Sequence, residues 1–242
     1  MTLELRLGRW QDVLAGVEPD SVICDPPYGA RTHEGARSTK DIEVDPDDFG
    51  GNIEGIEYDP WTATDVGEFV GSWAPRTRRW IVAMTSHDLI TAWESAFLAV
   101  GMYSFAPVVA VIKGMTVRQR ADGPASWSIY CMCARHTDDA RMVYDGRKKG
   151  HIWRSLPGGY AGPANTSEAR GGRGKPPWLT SALVRDYSNR GELVVDPLAG
   201  WGGTLRAASS LGRNAIGAEL DPGAFAKANR LAAAPQQSTL FD

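Results

Sequence analysis

Cysteine is scarce in this chain, with three in 242 residues: Cys24, Cys131 and Cys133. So sparse and odd a set excludes a disulfide scaffold and suits reduced thiols in a cytoplasmic protein. Cys131 and Cys133 stand two apart, on the same side of an expected strand, and no second ligand pair follows as a zinc site requires. Core packing is expected there, and no metal. Long apolar runs are missing as well, so no stretch approaches the roughly 20 residues that span a bilayer. The opening Met1-Thr2-Leu3-Glu4-Leu5-Arg6 lacks the charged-then-apolar order of a signal peptide. No internal repeat is visible, and low complexity is confined to the stretch from Ala232 to Gln237. Charge of one sign is not in large excess either, the formal net charge being -3.

What is present fits one α/β domain with, at most, a modest insertion. An apolar fraction of 43% and a charged fraction of 23% exclude wholesale disorder and a fibrous class. Charge is unevenly spread: Asp41 to Glu68 carries many acids without a Lys or Arg, whereas Arg135 to Lys175 is basic. Partners must therefore be judged region by region.

Leu3, Leu5 and Leu7 alternate with charged residues, the period of a half-buried strand, and a short helical stretch can follow over 10–14. The apolar run Ser21-Val22-Ile23-Cys24 stops abruptly at Asp25-Pro26-Pro27, because proline removes donors and forbids continuation. A strand emptying into a loop at its carboxyl end is the reading, and open α/β sheets place their sites at such ends. Residues 30–60, rich in Gly, Asp and Glu, read as a long mobile loop beside that site. Helix is expected over 65–73, a buried strand over 80–84 and an amphipathic helix over 87–100. Apolar runs at 107–113 and 127–134 predict an antiparallel pair closing one sheet edge. Residues 137–174 hold glycines, basic residues and scattered aromatics without apolar period, and read as a substrate-reading insertion. A helix over 177–187, a strand at 193–196, a Gly-rich turn, a helix over 204–211 and a strand at 214–219 complete a βαβ unit. The expected fold is α/β and Rossmann-like, a mostly parallel seven-stranded sheet with an antiparallel edge hairpin, in one domain over 1–242 with a flexible tail at 233–242.

Two features carry chemistry. The Gly200-x-Gly202-Gly203 turn lies between a strand and a helix, so backbone amides can approach a ligand with no side chain in the way. About twenty residues on, Glu219 ends the next strand, where a carboxylate accepts the ribose hydroxyls of an adenosine moiety. Leu205 stands where a dinucleotide fingerprint has its third glycine, which ranks NAD below S-adenosylmethionine. The second feature, Asp25-Pro26-Pro27-Tyr28, offers a carboxylate and a proline-exposed carbonyl to accept the hydrogens of an exocyclic amine, with an aromatic ring to stack its base. Positioning supplies much of the rate in such a transfer, since the amine loses its proton after attack.

These residues resemble the N6-adenine and N4-cytosine DNA methyltransferase family, and specifically its permuted beta group. The order of motifs carries the resemblance: Asp25-Pro26-Pro27-Tyr28 comes first, then Lys175-Pro176, then Asp196-Pro197-Leu198-Ala199-Gly200-Trp201-Gly202-Gly203-Thr204, and Ile216-Gly217-Ala218-Glu219 last. Ribosomal-RNA and protein-glutamine methyltransferases carry a similar Pro-Pro-Tyr loop after the cofactor motif, so the order disfavours them. The resemblance implies S-adenosylmethionine as cofactor and double-stranded DNA as partner, with a target base flipped out of its helix. It implies that Asp25, Pro26, Pro27 and Tyr28 hold that base. Asp196, Pro197, Leu198, Ala199, Gly200, Gly202, Thr204 and Glu219 would surround the cofactor, with Lys175 and Pro176 bordering its methionine end. An aspartate heads the loop more typically in adenine-N6 members and a serine in cytosine-N4 members, so adenine N6 is the expected target and cytosine N4 the alternative. RNA amino-methylation and a catalytically silent DNA- or clamp-binding module are the remaining readings.

Two departures matter. The family's cofactor loop usually reads Asp-Pro-Phe-x-Gly-Ser-Gly-Thr, whereas Leu198, Trp201 and Gly203 differ here, which leaves any aromatic contact to Trp201. The first strand in relatives often ends Gly-Asp, and here Arg9 follows Gly8.

Arg147, Lys148, Lys149, Trp153, Arg154 and Arg173 are candidates to track phosphates and fill the gap left by a flipped base. Their insertion is short, so sequence reading is expected to be brief, to involve the 30–60 loop, or to need a homodimer. The ending Gln237-Ser238-Thr239-Leu240-Phe241 is similar to the peptides by which bacterial replication proteins dock on the sliding clamp, through Gln237, Leu240 and Phe241. A bacterial or phage-infected cell is the expected setting, with no membrane partner.

Overall fold

The computed structural model describes residues 1–32, 59–113, 128–136, 156–163 and 174–233. Among them, one sheet has the order β1-β9-β8-β2-β3-β6-β5-β7, with β4 paired to β6 off that path. The strands are β1 (Leu3–Leu7), β2 (Ser21–Cys24), β3 (Trp80–Thr85), β4 (Met102–Ser104), β5 (Val108–Lys113), β6 (Ile129–His136), β7 (Gly159–Pro163), β8 (Leu193–Asp196) and β9 (Asn214–Glu219). The helices are α1 (Trp10–Val13), α2 (Ala63–Trp73), α3 (Ile90–Ala99), α4 (Pro177–Tyr187), α5 (Gly203–Ser210) and α6 (Pro222–Ala233).

Strands β1, β9, β8, β2 and β3 run parallel, and β6 joins β3 antiparallel. Every residue of β2 and β3 is buried, because both faces of the sheet are covered. Successive side chains serve opposite layers. Ile23, Val82 and Met84 pack in one core with Leu179 and Leu183 of α4 and Leu205 of α5. Val22, Cys24, Ile81 and Ala83 pack in the other with Phe69 and Trp73 of α2 and Trp93 and Phe97 of α3. Cys131 and Cys133 lie together in the first of these layers, and burial pushes the Cys133 thiol up to about 12.

All seven expected strands form, and β4 and β7 make nine among the described residues. The pair β5–β6 does not close the sheet edge as expected: β7 pairs in parallel with β5 outside it, from Val109 opposite Gly159 to Lys113 opposite Pro163. Gly159-Tyr160-Ala161-Gly162-Pro163 carries three strand-depleted residues, a composition tolerated at an edge. Gly162 is required by packing, since a Cβ there would fall 2.4 Å from the Trp178 ring. Thus 159–163, counted within the insertion, belongs to the sheet. Helix α6 was also not expected. Asp221 starts it by accepting from the Ala224 amide at 2.6 Å, and Pro222 stands at its head.

The sheet reverses its winding between β8 and β2. Chain leaving β8 passes through α5 to β9 on one side, while chain leaving β2 passes through α2 to β3 on the other. Carboxyl ends of strands on either side of such a switch open a crevice, and here they bring Asp25 and Asp196 to the same end of the sheet.

Candidate active site

Asp25-Pro26-Pro27-Tyr28 leaves the buried end of β2 and is held by residues at the end of β3. The Gly29 amide donates to the Ser86 hydroxyl at 3.0 Å, and Ser86 in turn donates to the Asp88 carboxylate. Asp88 also accepts from the Arg31 amide at 3.1 Å, and the Trp61 amide donates to the Tyr28 carbonyl at 3.1 Å. Approach is so close that a Cβ on Gly29 would lie 2.2 Å from an Asp88 oxygen. Sequence reading passed over Ser86 and Asp88. The available signal was a polar Ser-His-Asp step directly after a wholly buried strand, the position at which such sheets present functional groups.

Within the loop, one oxygen of Asp25, Oδ2, takes a hydrogen bond from the Lys175 ammonium. The other, Oδ1, is buried with no hydrogen-bond partner among the described residues. Tyr28 is 6% exposed, and the Lys175 Nζ stands 4.8 Å from its ring centroid. Lys175 is brought there by Pro176, which opens α4 and accepts from the Leu179 amide at 2.9 Å. Residues 150 apart in sequence thus meet over one loop.

The glycine turn is built between β8 and α5. Gly200 and Gly202 have φ of 53° and 74°, left-handed values that leave the turn free of side chains. The Gly202 amide donates to the Ala199 carbonyl at 2.7 Å, and the Ala199 amide to the Ala218 carbonyl at 2.9 Å. Glu219 closes the turn from β9: one carboxylate oxygen accepts from the Gly200 amide and the other from the Asp221 amide, each at 2.8 Å. Burial raises the Glu219 carboxyl above its ordinary value, and those amides oppose the shift. Each oxygen keeps a lone pair for a further donor, which fits a vicinal ribose diol.

Asp196 is 2% exposed, and burial pushes its carboxyl up to about 7, against bonds from the Leu198 amide at 3.2 Å and the Thr204 hydroxyl. Its position makes it a brace of the turn from beneath. Pro197 and Leu198 form the turn's entry, with Leu198 packed on the second core and Ala199 buried in the first. Trp201 carries the Lys227 ammonium of α6 over its ring, 3.0 Å from the centroid. This contact ties the substituted residue of the loop to the helix that sequence reading missed.

The end of β1 lies beside Glu219: Leu7 is its register partner, and the Gly8 amide donates to its carbonyl at 2.9 Å. Arg9 is exposed there and caps α1 without a side-chain hydrogen bond. The structure therefore gathers Asp25, Pro26, Pro27, Tyr28, Lys175, Pro176 and the Asp196 to Thr204 turn with Glu219 at one end of the sheet. Arg147, Lys148, Lys149, Trp153, Arg154 and Arg173 lie outside the described residues, as do Gln237, Leu240 and Phe241. No helix among the described residues is long and apolar enough to cross a membrane.

Comparison with known proteins agrees with this geometry. The chain is similar in structure to M1.HpyAVI in complex with SAM, with a TM-score of 0.64 and 16% identity over 94% of this chain and 97% of that one. The putative DNA modification methylase TTHA0409 from Thermus thermophilus, complexed with S-adenosyl-L-methionine, aligns with a TM-score of 0.63 and 18% identity over 96% and 93%. The cytosine-N4-specific PvuII DNA methyltransferase aligns with a TM-score of 0.63 and 13% identity over 99% and 89%. At such identities the likeness is one of fold, the Rossmann-like methyltransferase fold. No curated protein matches the chain in sequence. A model of the N6/N4 methylases, described as DNA methylase, matches residues 134–230, the stretch that runs from β6 through Lys175 and the glycine turn into α6. That match is seated on the turn, with the Asp-Pro-Pro-Tyr loop folded against it, and over this stretch the chain is similar to the N6/N4 DNA methylases.

Proposed function

We propose that this protein transfers the methyl group of S-adenosylmethionine to the N6 amine of adenine in double-stranded DNA, on a base turned out of its helix. The observation that carries the reading is the Asp25 carboxylate, with Oδ1 buried and unpartnered among the described residues, beside the Tyr28 ring and across the crevice from the Gly200–Glu219 turn. Two of the similar structures are complexes with this cofactor, and the residues of the turn suit it.

S-adenosylmethionine supplies an electrophilic methyl group on a sulfonium. Glu219 receives the ribose hydroxyls, and the left-handed glycines let the turn's amides face the ligand. Tyr28 stacks the extruded base, offsetting an unstacking cost of a few kcal/mol. Asp25 and the Pro26 carbonyl accept the two amine hydrogens, which turns the nitrogen lone pair toward the methyl. As the N–C bond forms and the S–C bond breaks, the amine becomes cationic, and its surplus proton leaves by way of Asp25 or water. Adenine is preferred over cytosine because the loop is headed by aspartate. Cytosine N4 is the second reading, favoured by the likeness to the PvuII enzyme.

Tritium transfer from labelled S-adenosylmethionine to duplex DNA tests the reaction, with matched RNA as the control acceptor. Sequencing of the modified DNA then reports the base. N4-methylcytosine in the product would replace the adenine assignment, and label entering RNA alone would end the DNA reading. Arg147, Lys148 and Lys149 are assigned to the DNA phosphates. Replacing all three by alanine is expected to weaken DNA binding and to flatten the log Kd against log salt line by roughly three charges' worth.

A further inference from the structure

The Lys175 ammonium has two neighbours that the proposed reaction reserves for the target amine. It donates a hydrogen bond to Asp25 Oδ2, and it stands 4.8 Å from the centroid of the Tyr28 ring. A base stacked on Tyr28 with its exocyclic nitrogen bonded to Asp25 places an N–H donor in that same space. The resemblance had put Lys175 at the methionine end of the cofactor, but the geometry points elsewhere. We infer that Lys175 belongs to the base slot, where its ammonium stands in for the target amine and is displaced when a base enters. This inference rests on the reading of Asp25 and Tyr28 as the base-holding pair.

Three physical consequences follow. The ammonium occupies Oδ2, and Oδ1 is buried without a partner among the described residues, so the carboxylate presents both oxygens to an incoming amine only after Lys175 has withdrawn. The slot is also guarded, since any occupant must replace a charge-assisted bond and a cation–π contact. An apolar or methyl-blocked group cannot do so, whereas an amine with N–H donors can. Finally, the contact is light enough to give way: the Lys175 and Asp25 side chains are 17% and 30% exposed, and the lysine stem is flexible.

Lysine-to-methionine replacement preserves the stem and removes the donor. With S-adenosylhomocysteine saturating the cofactor side, so that a nucleoside cannot enter there, calorimetric titration of 2′-deoxyadenosine measures the base slot directly. The Lys175→Met variant is expected to bind it roughly fivefold tighter than the wild type, the effect of removing a partly exposed competing ion pair. N6,N6-dimethyl-2′-deoxyadenosine, which has no N–H to give, should gain nothing, and Tyr28→Ala added to Lys175→Met should abolish the gain. Lys175→Arg, which restores a cation and donor, should return the affinity toward that of the wild type. Binding by Lys175→Met that is equal to, weaker than or undetectable beside the wild type overturns the assignment. So does an equal gain for the dimethylated nucleoside. Wild-type methyl transfer to DNA is measured alongside: its presence with a failed titration removes Lys175 from the slot alone, and its absence removes the underlying reading as well.

Discussion

Asp25 meets the crevice with one oxygen taken by Lys175 and one left over, and this division gives the loop its direction. Alanine at position 25 removes both acceptors while leaving the glycine turn and Glu219 untouched. Methyl transfer to DNA is therefore expected to fall by roughly 10²- to 10³-fold, the scale for loss of a preorganised polar group that acts on developing charge. S-adenosylmethionine affinity, read by calorimetry, should stay near that of the wild type. A variant that loses cofactor binding to the same degree would place Asp25 in the cofactor side instead. Asp25 was readable from the sequence because prolines stop a strand abruptly, and that punctuation is local. Ser86 and Asp88 were not, because their importance lies in touching Gly29 and Arg31, nearly sixty positions away along the chain.

At the scale of elements, the cofactor turn depends on how closely β9 approaches β8 and α5. A Cβ on Gly217 would lie 2.7 Å from the Leu205 side chain and 2.9 Å from the Asp196 carbonyl oxygen. Gly217→Ala is thus expected to cost about 1–3 kcal/mol by overpacking, and to weaken cofactor binding because the displaced strand carries Glu219. Gly67 in α2 supplies the contrast: nothing lies within 4 Å of its Cβ position, and its backbone is helical. Gly67→Ala should stabilise by about 0.5–1 kcal/mol through helix propensity and leave cofactor affinity unchanged. Urea midpoints and calorimetry on the two variants check both halves. Period and punctuation gave every helix except α6 its approximate bounds. Strands β4 and β7 escaped because three residues carry no period and because Gly159-Tyr160-Ala161-Gly162-Pro163 reads as turn until β5 is beside it.

For the whole molecule, the acids that brace the turn couple stability to pH. The Asp196 carboxyl is raised from an ordinary 3.8 to about 7 by burial, and burial raises Glu219 as well. Between roughly pH 4 and pH 7 the folded chain therefore retains a proton that the unfolded chain has released. Stability from this group is greatest at the acidic end of that window and is lost as pH rises through it, with no further loss above. Asp196→Asn cannot ionise, so the difference in unfolding free energy between pH 5 and pH 7.5 should be smaller in the variant than in the wild type. Denaturant titrations at the two pH values decide, and an equal or larger difference in Asp196→Asn would show that other groups govern the slope.

Sequence alone determined what is local and what is ordered along the chain. The strand before Asp25, the glycine turn at Gly200 and Gly202, the acid at Glu219 and the succession of motifs were all readable there, because proline, glycine and apolar period act over a few residues. The tertiary structure decided which groups meet. Winding reverses between β8 and β2, so two loops far apart in sequence open into one crevice. That reversal places Lys175 on Asp25 and over Tyr28, Ser86 and Asp88 behind Gly29, and Lys227 on Trp201. Such contacts depend on the order of strands in space, which hydrogen bonding and burial of both sheet faces select together and which no single segment encodes.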